Sequence, residues 1–260
     1  MNTLNIDSDI RNKIIITDDA NEKMLREYSD IELAAIYSKN ENNFNILKLL
    51  LKNKFKKNKK YTVIDKILIN TIKCLHLTSS FDAVKLLLTK YAADINCIIR
   101  SDAWTPLMYS CVNVDRSNIE IINFLIENGA DVNVKHCRYS QPLSLLVKFS
   151  STDEHLEIIK LLINKGCFVD FKNPAGETLL MMCFVYYYNK SIRYKIIKLL
   201  LDNKVDVYIK NNDRQNIFDI IKYKIDMDKE YDNSDIYSLI FNYKNLNNDH
   251  FCEFDINFIY

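Results

Sequence analysis

The chain is short of the two residues that most often punctuate a fold. Among its 260 residues are three glycines (Gly129, Gly166, Gly176) and three prolines (Pro106, Pro142, Pro174). Loops that cradle phosphate need several side-chain-free positions close together, and no two glycines here are near enough. Dinucleotide-binding, P-loop and kinase glycine-loop functions are excluded on that ground. The seven cysteines are odd in number, widely spaced and contain no C-x-x-C pair, so a structural zinc site and a disulfide framework both lack their spacing. No apolar run approaches the ~18 residues that a membrane-spanning helix needs. The opening residues, MNTLNIDSDIRNK, carry charge where a secretory signal would need an apolar stretch. Neither sign of charge dominates: Lys+Arg of 35 against Asp+Glu of 34 gives +1, no global field for nucleic acid or an anionic membrane. These absences describe a soluble, cytoplasmic protein of a reducing compartment, its cysteines buried as small hydrophobes.

What is present is apolar surface, 48% of residues with 12% aromatic, ample for a core. It is distributed with a period. Five nine-residue blocks align without gaps: NILKLLLKN (45–53), DAVKLLLTK (82–90), EIINFLIEN (120–128), EIIKLLINK (157–165) and KIIKLLLDN (195–203). Their starts are 37, 38, 37 and 38 residues apart, and a weaker copy, DIYSLIFNY (235–243), follows after 40. Within each block the apolar positions form a wide helical stripe, such as Ile121, Ile122, Phe124, Leu125 and Ile126. One such helix cannot bury its stripe alone, so copies must stack and shelter one another.

The segments between blocks repeat as well. NGADVNVK (128–135), KGCFVDFK (165–172) and NKVDVYIK (203–210) follow the third, fourth and fifth blocks. Ahead of the blocks stand WTPLMYSC (104–111), SQPLSLLV (140–147) and GETLLMMC (176–183). Thr105 and Thr178 suit a first-helix N-cap, Pro106 and Pro142 its first turn, and Gly129 and Gly166 a left-handed C-cap of the second helix. These segments resemble the ankyrin family, whose Gly-x-Thr-Pro-Leu-His element opens the first helix of each repeat. The resemblance covers about residues 29–245 and is strongest over 101–210. It implies an all-α ankyrin-repeat solenoid of about six helix-loop-helix units with short finger turns. The expected boundaries are a capping segment at 1–28, units at 29–60, 61–100, 101–135, 136–172, 173–210 and 211–245, and a tail at 246–260.

The chain departs from the family pattern at several points. Met108, Ser144 and Met181 replace the family histidine. Ala103 and Tyr139 stand at the finger-turn position that Gly176 keeps, and Lys204 stands where Gly129 does. If those backbones keep φ > 0, each costs about 1 kcal/mol. KYAADIN (90–96) is one residue longer than NGADVN. The surplus over the usual repeat length falls between the two helices, at 113–118, 149–155 and 186–193, as loop growth or as a second contact surface.

Candidate chemistry is sparse. His76, His136, His155 and His250 lie far apart with no metal-ligand spacing, and read as solvent-facing or capping. Asp18-Asp19 and Asp153-Glu154 read as helix caps rather than a proton-exchanging pair. No nucleophile elbow occurs. No catalytic residue, metal ligand or cofactor is therefore assigned. Charge is most uneven at Lys48, Lys52, Lys54, Lys56, Lys57, Lys59 and Lys60, interleaved with Phe55 and Tyr61. This run either holds nucleic acid or an acidic lipid surface, or is a solvated loop. Residues 211–260 carry five basic against ten acidic residues. The tail, with Phe251, Phe254, Phe258, Ile259 and Tyr260, either folds back on the last repeat or docks elsewhere.

The function that the resemblance implies is that of a monomeric, non-catalytic scaffold, binding another protein through a concave surface of finger tips and first helices. Carried over to this sequence, the contact residues are Arg100, Asp102 and Trp104; Lys135, Arg138 and Tyr139; Lys172 and Asn173; and Lys210 and Arg214. Trp104 and Tyr139 are the expected anchors, since aromatics and Arg dominate interface energetics, with partial burial of Trp104 on a neighbouring finger as the competing reading. Asn133 resembles the asparagine that ankyrin proteins present to an asparaginyl hydroxylase.

Overall fold

A computed structural model describes residues 13–14, 16, 28–54, 61–74, 79–98, 103–112, 116–134, 141–149, 152–185, 190–227 and 234–247. Among these the protein is all-α: an isolated antiparallel bridge, Lys172 to Thr178, is the one piece of β pairing. The helices belong to two compact units, Met1–Asp131 and Val132–Tyr260.

The first unit holds α1 (Asp30–Ile36), α2 (Glu41–Lys54), α3 (Tyr61–Lys73), α4 (Phe81–Thr89), α5 (Pro106–Val112) and α6 (Arg116–Glu127). The second holds α7 (Pro142–Phe149), α8 (Asp153–Asn164), α9 (Leu179–Val185), α10 (Lys190–Asp202), α11 (Ile217–Met227) and α12 (Ser234–Asn247). Each nine-residue block coincides with an even-numbered helix to within a residue at its end. In the first unit α1, α3 and α5 touch in chain order, and each packs on the helix that follows it. In the second unit α7, α9 and α11 form one row and α8, α10 and α12 another. That is the nearest-neighbour stacking which the apolar stripes require.

Local chemistry explains where the helices stop and start. The hydroxyls of Thr105 and Thr178 accept from the amides of Met108 and Met181, each at 3.3 Å, the expected N-caps. Gly129 (φ 94°) and Gly166 (φ 83°) are left-handed C-caps, and the amides after them, Ala130 and Cys167, donate to Leu125 and Leu162 carbonyls at 2.9 and 3.0 Å. Ala103 (φ 56°), Lys204 (φ 59°), Ala92 (φ 52°) and Arg214 (φ 62°) hold the same conformation without being glycine. Cys97, Cys111, Cys167 and Cys183 are buried thiols, and burial pushes Cys183 up to about 12.

His155 is not solvent-facing. It is buried in the first turn of α8, its Nδ1 2.9 Å from the Thr152 hydroxyl, and burial pulls it below the usual imidazole range toward the neutral form. The capping alternative is the one that holds. Asp153 beside it pairs with Lys195 of α10 at 2.6 Å.

Candidate interaction surface

The first helices do not contribute the surface expected of them. Residues 106–111 of α5, 142–147 of α7 and 179–184 of α9 are buried without a break. The reason is geometric. A helix of seven or eight residues has barely two turns, and α9 spends its sides on α7, α11 and α10 together. Sequences such as PLMYSCV and LLMMCFV, apolar all round, carry the signal of a fully enclosed helix. What remains for solvent is the finger turns and the helix ends.

In the first unit the exposed finger edge is built around Trp104. Its indole is half-buried against Tyr109 of α5, with centroids 5.3 Å apart and planes at 58°, and Lys73 of α3 places its ammonium 4.3 Å from the Tyr109 ring centroid. Trp104 therefore rests on the first helix of its own repeat and presents part of its ring outward. Arg100 and Asp102, in the same finger, lie outside the described residues, as do Lys135, Arg138 and Tyr139.

In the second unit two fingers are made the same way, 38 residues apart. The Asn173 amide donates to the Glu177 carbonyl at 3.0 Å, and the Glu177 amide donates to Asn173 Oδ1 at 2.9 Å. Asn211 and Gln215 repeat both bonds at 2.8 and 2.9 Å. The Asn173 side chain also donates to Glu177 Oε2 at 2.7 Å, so its polar groups serve the turn itself. The fingers are tied together: Asn212 donates from its amide to the Ala175 carbonyl at 3.0 Å and from Nδ2 to the Pro174 carbonyl at 2.7 Å. Gly176 (φ 77°) lies under this junction, where an added Cβ would sit 2.7 Å from the Asn212 backbone nitrogen. From this locked pair Lys172, Lys210 and Arg214 stand exposed.

A second ladder joins the loops behind the fingers. In the first unit Asn96 donates to the Gly129 carbonyl at 3.1 Å and accepts from the Asp131 amide at 2.8 Å. In the second, Asn133 does the same to Gly166 and Phe168, both at 2.8 Å, and Asp170 accepts from Asp206 at 2.9 Å. The Asn133 amide, singled out as a modification acceptor, is engaged at both ends. Tyr208 occupies the equivalent place in the last loop, its ring 6.0 Å from Phe218, which in turn lies 5.4 Å from Phe241.

Several of these residues escaped sequence reasoning. Tyr109 hides in a buried helix, and Asn212 carries no pattern. The Asn-x-x-x-Glu/Gln spacing of 173–177 and 211–215 could have revealed the finger bonds. Phe168 and Tyr208, 59% and 46% exposed, are unannounced aromatics on loops where sister repeats carry Asp or Asn. Of the lysine run, Lys48, Lys52 and Lys54 are exposed on α2; Lys56, Lys57, Lys59 and Lys60 lie outside the described residues, as do Phe55 and residues 248–260. Among the described residues no cluster of three or more His, Cys, Asp or Glu could hold a metal ion, and no helix is long and apolar enough to cross a membrane.

A family model described as ankyrin repeats, in three copies, matches residues 31–136. An ankyrin repeat protein of Acanthamoeba polyphaga mimivirus is 34% identical over 122 residues, 42% of this chain and 21% of its own length. Another from the same virus is 33% identical over 117 residues, 45% of this chain and 67% of its own length. One from Rickettsia felis is 31% identical over 125 residues, 45% and 54% of the two chains. The chain spans less than a quarter of the length of two of its mimivirus relatives.

Proposed function

The chain belongs to the ankyrin-repeat family, whose repeats are generally non-enzymatic protein-protein interaction modules, and from that premise we propose that it is a scaffold gripping a protein partner by its finger turns. The observation that carries this reading is the locked finger pair of the second unit. Two turns are held to each other through Asn212, with Lys172, Lys210 and Arg214 projecting from a backbone already fixed. A preformed edge binds without having to order itself first, which lowers the entropic cost of association. In the first unit Trp104, seated on Tyr109, supplies the aromatic anchor. Lys135, Arg138, Tyr139, Arg100 and Asp102 are assigned to the same finger edge from the family pattern, and Asn173 shapes its turn. The surface is thus of finger tips, without the first helices.

The test is affinity capture with the intact chain as bait and two variants beside it, Trp104→Ala and Lys210→Glu/Arg214→Glu. A true partner is expected to bind either variant about ten-fold more weakly, while the thermal midpoint of each stays close to that of the parent. A captured protein that binds both variants as tightly as the parent would remove the finger edge from the reading.

A further inference from the structure

In α2, Asn45, Lys48, Leu49 and Lys52 share one arc, because residues three, four and seven apart lie on one side of a helix. Leu49 is 60% exposed, the most of any large apolar side chain among the described residues. The same block position holds Leu86, Phe124, Leu161 and Leu199 in later repeats, and each of those is partly covered. Phe124, for instance, lies 5.4 Å from the Phe81 ring of the preceding second helix. Leu49 is therefore at a seam position whose cover is supplied elsewhere by the repeat before. Here that place in the chain belongs to the residues ahead of α1.

Two anchors say where those residues run. Asn42, in the first turn of α2, donates to the Lys13 carbonyl at 3.0 Å, and Ile14 is buried. At the other end Ser29 begins α1, with its amide and hydroxyl both bonded to Glu32 at 2.9 and 2.6 Å. The α1 and α2 helices are antiparallel neighbours joined by residues 37–40, so the chain between Lys13 and Ser29 must return along this helix pair. The distance is about 10 Å, the length of the seven-residue α1. Residues 14–28, able to span about 50 Å if extended, have ample slack to lie against the helices instead. Their composition suits α2: Asp18, Asp19, Glu22 and Glu27 outnumber Lys23 and Arg26, with Ala20, Met24 and Leu25 between them. The arc of α2 from Asn45 onward carries Lys48 and Lys52 and no acid.

We propose that residues 17–27 pack along α2 as an acidic strap, its apolar residues covering Leu49 and its carboxylates facing Lys48 and Lys52. The strap closes the open edge of the first repeat and shields the start of the lysine run from other anions. The contact is intramolecular and partly electrostatic, so it loosens with salt and can be displaced by a more strongly anionic competitor.

The experiment installs a photo-crosslinker in the full chain, Leu49→benzoylphenylalanine, and maps the adducts by mass spectrometry. A single intramolecular adduct within 17–27 is expected. Adding Lys48→Glu/Lys52→Glu should cut its yield about three-fold, and adding Asp18→Lys/Asp19→Lys on top should restore it. An adduct to a second copy, to phosphatidylserine vesicles in preference to 17–27, or to no peptide at all would overturn the strap. So would a yield indifferent to both charge reversals.

Discussion

Single backbone angles explain which departures from the repeat pattern are tolerable. Gly176 has two reasons to be glycine, a φ of 77° and the Asn212 backbone pressed to 2.7 Å of where a Cβ would be. Lys204 and Arg214 have only strain, and stand at comparable angles with side chains in solvent. Gly176→Ala is therefore expected to cost about 2–3 kcal/mol, whereas Lys204→Gly is expected to gain about 0.5–1 kcal/mol. Urea unfolding of the two variants beside the parent checks both, and the opposite signs are the content of the prediction. At this scale the sequence was legible where a residue acts on its own chain neighbours. Thr105, Thr178, Gly129, Gly166 and the strained Ala103 were all readable, because caps and left-handed turns are local. Asn212 was not, because its partners are 37 and 38 residues earlier and it looks like any loop asparagine.

Helices depend on what flanks them, and α1 is the shortest test. Burial alone would push the Glu32 carboxyl up, but the hydroxyl and amide of Ser29 and the ammonium of Lys66, at 3.0 Å, together hold it below the ordinary carboxylate value. A folded value below the unfolded one, about 4.3, means that the stability it contributes is present above the unfolded value. It is lost as pH falls through the folded value. Denaturation midpoints measured from pH 7 down to pH 3 should fall more steeply below about pH 4.3 in the parent than in Glu32→Gln; parallel curves would sink the assignment. The second helices were legible because their stripes face one way. The first helices were misjudged as half-open, although an unbroken apolar run of six residues already said that no side was left for solvent.

The chain as a whole reads as an ankyrin-repeat protein because a spacing of 37 or 38 residues survives even where most of the family's signature residues are gone. Its partner does not read out, because fold and function are separable and the finger residues that carry specificity differ from repeat to repeat. Stability in such folds is passed between neighbours. Within the second unit, Ile221→Ala, which hollows the buried face of α11, should speed amide exchange in α11 and α12 while α7 and α8 keep their protection. Hydrogen exchange by mass spectrometry distinguishes this from uniform loosening.

The loop ladder bears on how such a protein can grow. Asn96, Asn133 and Asp170 each reach forward to fasten the loop that follows, and Tyr208 turns its ring onto Phe218 instead. Gene duplication beyond this point would add a module with no latch to catch it. Lengthening the protein at that end would first demand an amide or carboxylate in place of Tyr208, a change that gives up the aromatic closure in exchange for another link.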